Sequence, residues 1–333
     1  MLRRRVIATG AAAMGSGALG RGGLGLGGLG LGALGLGGLG LSVPGTGGAR
    51  AATLTEFRVG LLGGENTQDR LARYDAFQKL LSEHLHIPVK LFPAADFAGV
   101  MQGIAAGQLE AAEFGASSFA GAWLDCKCVE PLVVPQEKDG SIFYYSVMVV
   151  RADSGIKTLA DMKGHSLAWA DPNSTSGYLI PSATLKTLGI KLDDGAYFSR
   201  TGFSGGHEQG VVAVLNKQYD AAVTWTSGQG EISEGYSRGA LRSMVDHNML
   251  NMADIAIIWR SGKIPNGPWA VRSVLPADVK TSFADFLLAL PKANRKVYDD
   301  VEHGSGVGYV PATMELYKDI IDLRLAERGA NRG

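Results

Sequence analysis

The chain has 333 residues, 46% of them hydrophobic and 19% charged, with 32 basic side chains against 32 acidic. That is a globular composition, long enough to fill two cores. The five arginines up to Arg50 meet no acid, so the remainder carries 27 basic against 32 acidic residues and no basic stripe, which excludes a nucleic-acid binder.

Residues 1–51 read as an export leader, a signal peptide of the twin-arginine (Tat) type. Arg3-Arg4-Arg5-Val6-Ile7 sets twin arginines ahead of two apolar residues. A Gly/Leu/Ala tract runs from Gly20 to Leu41, and Ala49-Arg50-Ala51 is a small-x-small cleavage signal. The alternating glycines penalise a helix by up to about 1 kcal/mol each, which makes the tract a poor membrane anchor despite its length. Weak hydrophobicity behind twin arginines suits the route for folded proteins. No cysteine in the leader offers an acylation site, so the mature chain is expected free in the periplasm as a soluble monomer. Cys126 and Cys128 are the two cysteines of the chain, too few for a disulfide framework.

Phe57, Val59 and Leu61 alternate as in a strand, and the loop Gly63-Gly64-Glu65-Asn66-Thr67 follows. Leu71, Tyr74, Phe77, Leu80, Leu81 and Leu85 recur at three-to-four spacing, which predicts a helix. Pro88 breaks it before a strand over Val89–Phe92. Asp96 is placed to cap a helix that buries Val100, Met101 and Ile104. A strand over Leu109–Phe114, a short helix over Ser117–Leu124 and a strand over Val129–Val134 extend a β-α-β series. Such a series predicts a doubly wound, mostly parallel sheet.

Tyr145–Arg151 is almost continuously apolar, the mark of a strand buried on both faces. The same order then restarts. A strand over Leu167–Ala170 leads through the loop Asp171–Gly177 to a helix over Tyr178–Leu188. A strand over Ala196–Ser199 leads through a Gly-rich loop, Thr201–Gly206, to a helix over His207–Leu215 and a strand over Tyr219–Val223. Apolar strands over Ile255–Trp259 and Trp269–Val271 flank Ile264-Pro265. Helices over Ala277–Leu290, Asn294–Val301 and Met314–Leu325 close the chain. Two α/β units with apolar strands at the transitions predict two lobes on a two-segment hinge. Lobe 1 takes residues 52–150 and 263–333, and lobe 2 takes residues 151–262. In such sheets ligands bind at the carboxyl ends of the strands, which here is the cleft between the lobes.

The strongest local signal is Asp171-Pro172-Asn173-Ser174-Thr175-Ser176-Gly177, directly after a strand and before a helix. Three consecutive hydroxyls at a helix start can donate to one oxyanion, with help from unpaired first-turn N–H groups and the helix dipole. Capping alone needs one hydroxyl. Gly205-Gly206-His207-Glu208 repeats the arrangement one unit later. There His207 is either a donor to the anion, gaining charge below neutral pH, or a solvated histidine. Ser117, after the strand Leu109–Phe114, is either a donor from the opposite lobe or a simple cap. The serines and histidine come with no acid partner, so no catalytic constellation and no metal-ligand spacing argues for an enzyme or a cofactor.

With these residues in place the chain resembles the phosphonate-binding, PhnD-like family of periplasmic proteins that serve ABC importers for phosphonate, phosphite and related oxyanions. The resemblance covers nearly all of residues 54–325. It rests on Ala95-Asp96-Phe97-Ala98-Gly99-Val100-Met101-Gln102-Gly103, on Tyr144-Tyr145-Ser146-Val147, on Asp171–Gly177 with Tyr178, and on Gly206-His207-Glu208. It extends to Ala213-Val214-Leu215-Asn216-Lys217-Gln218-Tyr219-Asp220-Ala221-Ala222. It implies a type II periplasmic-binding-protein fold with the ligand in the interlobe cleft and an ABC permease as partner. It also implies that Ser174, Thr175, Ser176 and His207 hold the anionic head and that Tyr144 faces it from near the hinge.

Two departures stand out. Phe97 occupies the place of a tyrosine found in the family's aminoalkylphosphonate binders. Their two amine-holding acids are matched here by Ser227 and by Asn266 or Gly267. The expectation is therefore a pocket without those two carboxylates and a compact, amine-free ligand. Asp125-Cys126-Lys127-Cys128 carries the alternative function. In an exported protein the pair is either a disulfide, a buried small residue with a neighbour, or a soft-ligand site suited to arsenite. The last would make the protein a sensor for a membrane kinase.

Overall fold

The computed structural model describes residues 54–330. The expected leader, residues 1–51, lies outside them. Phe57–Leu61 forms strand β1. Asn66 starts helix α1 (Thr67–Leu85) by accepting from the Gln68 and Asp69 N–H groups at 2.9 and 3.2 Å. His86, at φ 55°, ends α1 ahead of Pro88 and β2 (Val89–Pro93). Asp96 accepts from the Gly99 N–H at 2.9 Å and opens α2 (Phe97–Ala105), which buries Val100, Met101 and Ile104 as their spacing predicts. Next come β3 (Ala111–Glu113), α3 (Ala116–Cys126) and β4 (Val129–Gln136).

The second unit begins with β5 (Phe143–Arg151), β6 (Ser166–Trp169), α4 (Ile180–Thr187) and β7 (Arg200–Phe203). It continues with α5 (His207–Leu215), β8 (Ala221–Thr226), α6 (Ala240–Asp246), β9 (Ile255–Arg260) and β10 (Ile264–Pro265). The chain then returns through β11 (Trp269–Arg272), α7 (Ala277–Ala293), α8 (Arg295–Val301), β12 (Gly308–Pro311) and α9 (Lys318–Ala330).

These strands make two sheets, β12-β4-β11-β3-β1-β2 and β10-β5-β8-β6-β7, with β9 also paired to β5. The β-α-β halves are parallel, as β1 with β2 and β3, and β6 with β7 and β8. The other half of each sheet is antiparallel, because β11 and β5 enter from the opposite lobe. Sheet membership also moves the lobe edges. β5 and β10 both lie in the second sheet, so the chain crosses between Gln136 and Phe143 and between Pro265 and Trp269, not at 150 and 262.

The apolar run of β5 is explained by its place between β8 and β9, where Val147, Met148, Val149 and Val150 are wholly buried. Trp269, Phe77, Phe57 and Phe283 fill one face of the first sheet, and Phe114, Phe119 and Tyr317 the other. Two further clusters sandwich the second sheet. Among the described residues no helix is long and apolar enough to cross a membrane.

Two expected elements are displaced, and two others were not foreseen. The strand expected over Ala196–Ser199 forms instead over Arg200–Phe203, in register with Ser166–Trp169. Gly202, read as loop, is a strand residue paired with Ala168, and glycine fits there because a Cβ would stand 2.3 Å from the Tyr219 hydroxyl. Helix α6 and the edge strand β12, bounded by Gly308 and Pro311, carry too little periodicity to be read. The helix expected from Tyr178 begins in a widened turn over Thr175–Leu179, where the Ile180 N–H reaches back five residues to Thr175 O.

Candidate functional site

Helices α3 and α5 begin on Gly115 and Gly206, and neither has a side-chain cap. Uncapped first turns present N–H groups and the positive end of the helix dipole to whatever lies ahead of them. Here that is one cavity of ≈ 130 Å³ between the lobes, walled in part by Gly115, Ser176, His207, Tyr144 and Phe97. Gly206 is required by close approach: a Cβ would stand 2.2 Å from Gly64 O of the facing lobe.

The structure separates the expected cradle residues. Ser176 and His207 reach the cavity wall with Tyr144 and Phe97, whereas Ser174, Thr175 and Ser117 are not among its lining residues. Ser174 Oγ accepts from the Gly177 N–H at 3.0 Å and lies 3.1 Å from His207 Nε2, so it caps the turn and holds the imidazole. Thr175 Oγ1 accepts from the Ser117 N–H at 2.8 Å, across the cleft. Arg324 Nη1 donates to Ser117 Oγ at 3.1 Å and to Pro172 O at 3.3 Å, and its Nη2 donates to Asn173. The serine-rich loop therefore also fastens one lobe to the other. Burial pushes His207 down to about 4, so the ring is neutral at physiological pH and adds no charge just below neutrality, contrary to expectation.

Carboxylates from positions other than those two stand on the cavity wall. Glu65, Glu113, Glu208 and Glu302 line the cavity with Arg70, Arg73, Arg238 and His303. Ser227 is not on the wall; its hydroxyl lies 2.8 Å from that of Ser237. Asn266 is on the wall, but its amide is engaged at the hinge, accepting from Arg238 at 2.8 Å and donating to Pro135 O at 2.9 Å. Arg238 also binds Glu137 at 2.5 Å and Glu302 at 3.1 Å, tying both crossing segments together. Arg73 pairs with Glu65 at 2.6 Å. Burial first, then the charge of Glu302, raises Glu113 to about 8, and it accepts from the Tyr74 hydroxyl. Burial, reinforced by Arg73, lowers His303 to about 3. Glu65 stands in a loop and Glu208 in a helix's first turn, both in stretches already singled out by their glycines and His207. Arg238, Glu302 and His303 arrive from segments with no local signal.

The arsenite reading is also corrected. Cys126 and Cys128 are joined as a disulfide, with Lys127 between them at φ 53°, so neither sulfur is a thiolate. They sit at the C-terminal end of α3, whereas the start of that helix lines the cavity.

The model of the periplasmic substrate-binding protein of phosphonate ABC transporters matches residues 59–317. The chain belongs to this family. The family's role is solute binding for an ABC transporter rather than catalysis. Similar proteins include the "Phosphate-import protein PhnD" of Mycolicibacterium smegmatis, 30% identical over 231 residues that cover 66% of this chain and 68% of that protein. The "Phosphonates-binding periplasmic protein" of Escherichia coli is 29% identical over 234 residues, covering 69% of this chain and 64% of that protein. Among solved structures, a binding-protein component of an ABC phosphonate transporter from Pseudomonas aeruginosa superposes with a TM-score of 0.70. It is 26% identical and covers 82% of this chain and 86% of that one. The two-lobe architecture of this binding protein is thus that of periplasmic relatives.

Proposed function

We propose that this protein is exported, works as a soluble periplasmic monomer, captures a small phosphorus oxyanion (a phosphonate, phosphite or phosphate) and delivers it to an ABC permease. The carrying observation is the meeting of two helix starts on glycine cap residues, at Gly115 and Gly206, with Ser176 and His207 on one interlobe cavity. The relatives' names, one for phosphate import and one for phosphonates, point the same way. Ser176 and His207 hold the head directly. Ser174 orients His207, and Thr175 and Ser117 fasten the lobes over it. Phe97, Tyr144 and Trp225 give the cavity an apolar side, which suits hydrogen or a short alkyl group on phosphorus.

Calorimetry on the mature chain with phosphite, methylphosphonate and phosphate tests the reading, and binding of none of them refutes it. Export by the Tat route rests on Arg3, Arg4 and Arg5. Replacing all three with lysine is expected to retain precursor in the cytoplasm, and arrival of that variant in the periplasm refutes the route.

A further inference from the structure

Of the four carboxylates on the cavity wall, Glu65 and Glu302 each meet an arginine, Arg73 at 2.6 Å and Arg238 at 3.1 Å. Glu113 does not. Among the described residues its side chain has one hydrogen-bond partner, the Tyr74 hydroxyl, which donates to Oε2. Oε1 is left unpaired without being sealed from the cavity. Glu113 ends β3, two residues before Gly115, where the first turn of α3 meets the same cavity. An ionised carboxylate in that place opposes the anion that the helix starts attract. A protonated one does not, because its carbonyl oxygen accepts from Tyr74 while its O–H serves as a donor.

We propose that Glu113 is a ligand-binding residue that keeps its proton and donates Oε1–H to the bound oxyanion, so that in alkaline solution the anion enters the cavity together with one proton. The inference rests on the oxyanion reading above. One carboxylate, one proton from solvent and one anion give one carboxyl O–H···O bond; where the carboxyl is already protonated, nothing is taken up. The proton comes from the protein, so this donor serves any oxyanion that fits. The groups facing Glu113 are Tyr74 and Arg73 from α1, Glu65 from the loop before α1, and Glu302 after α8. Burial first, then the charge of Glu302, raises Glu113 to about 8, and the charge of a bound anion raises it further. The donor form is therefore present below about 8 and lost as pH rises through that value, so binding weakens in the same direction.

The test is calorimetry of the mature protein with phosphite at pH 7 and pH 9, each in two buffers of different ionisation enthalpy, which reads affinity and proton uptake together. A phosphoryl group loses its last proton at roughly pH 6, and comparison with a variant cancels what remains of that titration and of Glu208's. In Glu113→Gln the amide donates at every pH. Wild-type affinity relative to this variant is expected to fall about tenfold from pH 7 to pH 9, with nearly one proton more taken up per anion at pH 9. Glu113→Leu has no donor and is expected to bind about ten- to a hundredfold more weakly than Glu113→Gln at pH 7, the range of a hydrogen bond to a charged group. Thermal melts confirm that both variants fold. Equal pH slopes in the wild type and folded Glu113→Gln overturn the proposal while leaving the oxyanion reading intact. Binding without proton uptake by the wild type at pH 9 overturns it with no variant needed. A wild-type preference for 2-aminoethylphosphonate over methylphosphonate that Glu113→Gln abolishes also overturns it, because the carboxylate then holds a cation. Failure of the wild type to bind any phosphorus oxyanion overturns both readings.

Discussion

Thr175 is the residue at which closure can be separated from direct contact with the ligand. Its Oγ1 accepts from the Ser117 N–H at 2.8 Å, joining the widened turn of one lobe to the first turn of α3 in the other. Both residues are almost wholly buried, at 2% and 0% exposure, so no solvent replaces the bond if the acceptor is lost. Thr175→Val keeps the shape of the side chain and removes the oxygen. The Ser117 N–H is then buried without a partner in the closed form, at a cost of about 1–3 kcal/mol. When the lobes part, that N–H is free to meet water. The cost therefore falls on closure, and ligand affinity is expected to drop about 5- to 150-fold at about 1.4 kcal/mol per decade. Calorimetry measures the affinity, and thermal melts of the ligand-free protein are expected to move by less than about 0.5 kcal/mol equivalent. Thr175→Ser retains the hydroxyl and is expected to bind nearly as the wild type does. Unchanged affinity in Thr175→Val, or an equal loss in Thr175→Ser, refutes the reasoning.

Three further predictions follow from the buried charges and the disulfide. His207 titrates near 4 and His303 near 3 in the folded state against 6.5 for a free imidazole, so the unfolded chain binds more protons below 6.5. Stability is expected to fall as pH drops from 6.5 toward 4, and His207→Gln to lessen that fall; identical acid limbs in urea titrations refute this. Arg238→Met leaves Glu137 and Glu302 buried without their cation and is expected to cost about 3–5 kcal/mol in denaturant unfolding, a loss below about 1 kcal/mol being the refuting result. Replacing both Cys126 and Cys128 with serine opens a very short loop and is expected to cost about 1.5 kcal/mol or less, with oxyanion affinity unchanged. The pair sits at the far end of an 11-residue helix, about 15 Å from the start that meets the cavity, so a large affinity loss refutes its remoteness.

Much of the fold was legible because its determinants are local. Asn66 and Asp96 announce α1 and α2 by capping chemistry, and the helix His207–Leu215 matches its expected bounds. Failures cluster where a distant partner decides. Gly202 belongs to a strand because β6 pairs with it, and β12 is a strand because β4 offers an edge. The lobe boundary was displaced for a related reason. An apolar run such as β5 reports burial on two faces, but not which sheet supplies the neighbours.

The site divides along the same line. Hydroxyls and glycines at a strand-to-helix turn are visible as a motif, so Ser176 and His207 could be found from neighbours in sequence. What the motif conceals is that its members do different work. Asp171 Oδ2 lies 3.5 Å from the Phe97 N–H, Thr175 accepts from Ser117, and Pro172 and Asn173 accept from Arg324, all across the cleft. These contacts require the second lobe, 58 or more residues away in the chain, to be already in place. One loop thus presents Ser176 to the cavity while its other residues hold the cavity shut, and that arrangement couples occupancy to closure. Charge placement is hidden in the same way. Two aligned positions that lack acids say nothing of the rest of the wall, to which Glu65, Glu113, Glu208 and Glu302 come from four other segments. A cavity's charge belongs to everything the fold brings to its surface: of the four carboxylates on this wall, Glu65 and Glu302 meet arginines, whereas Glu113 and Glu208 meet hydroxyls.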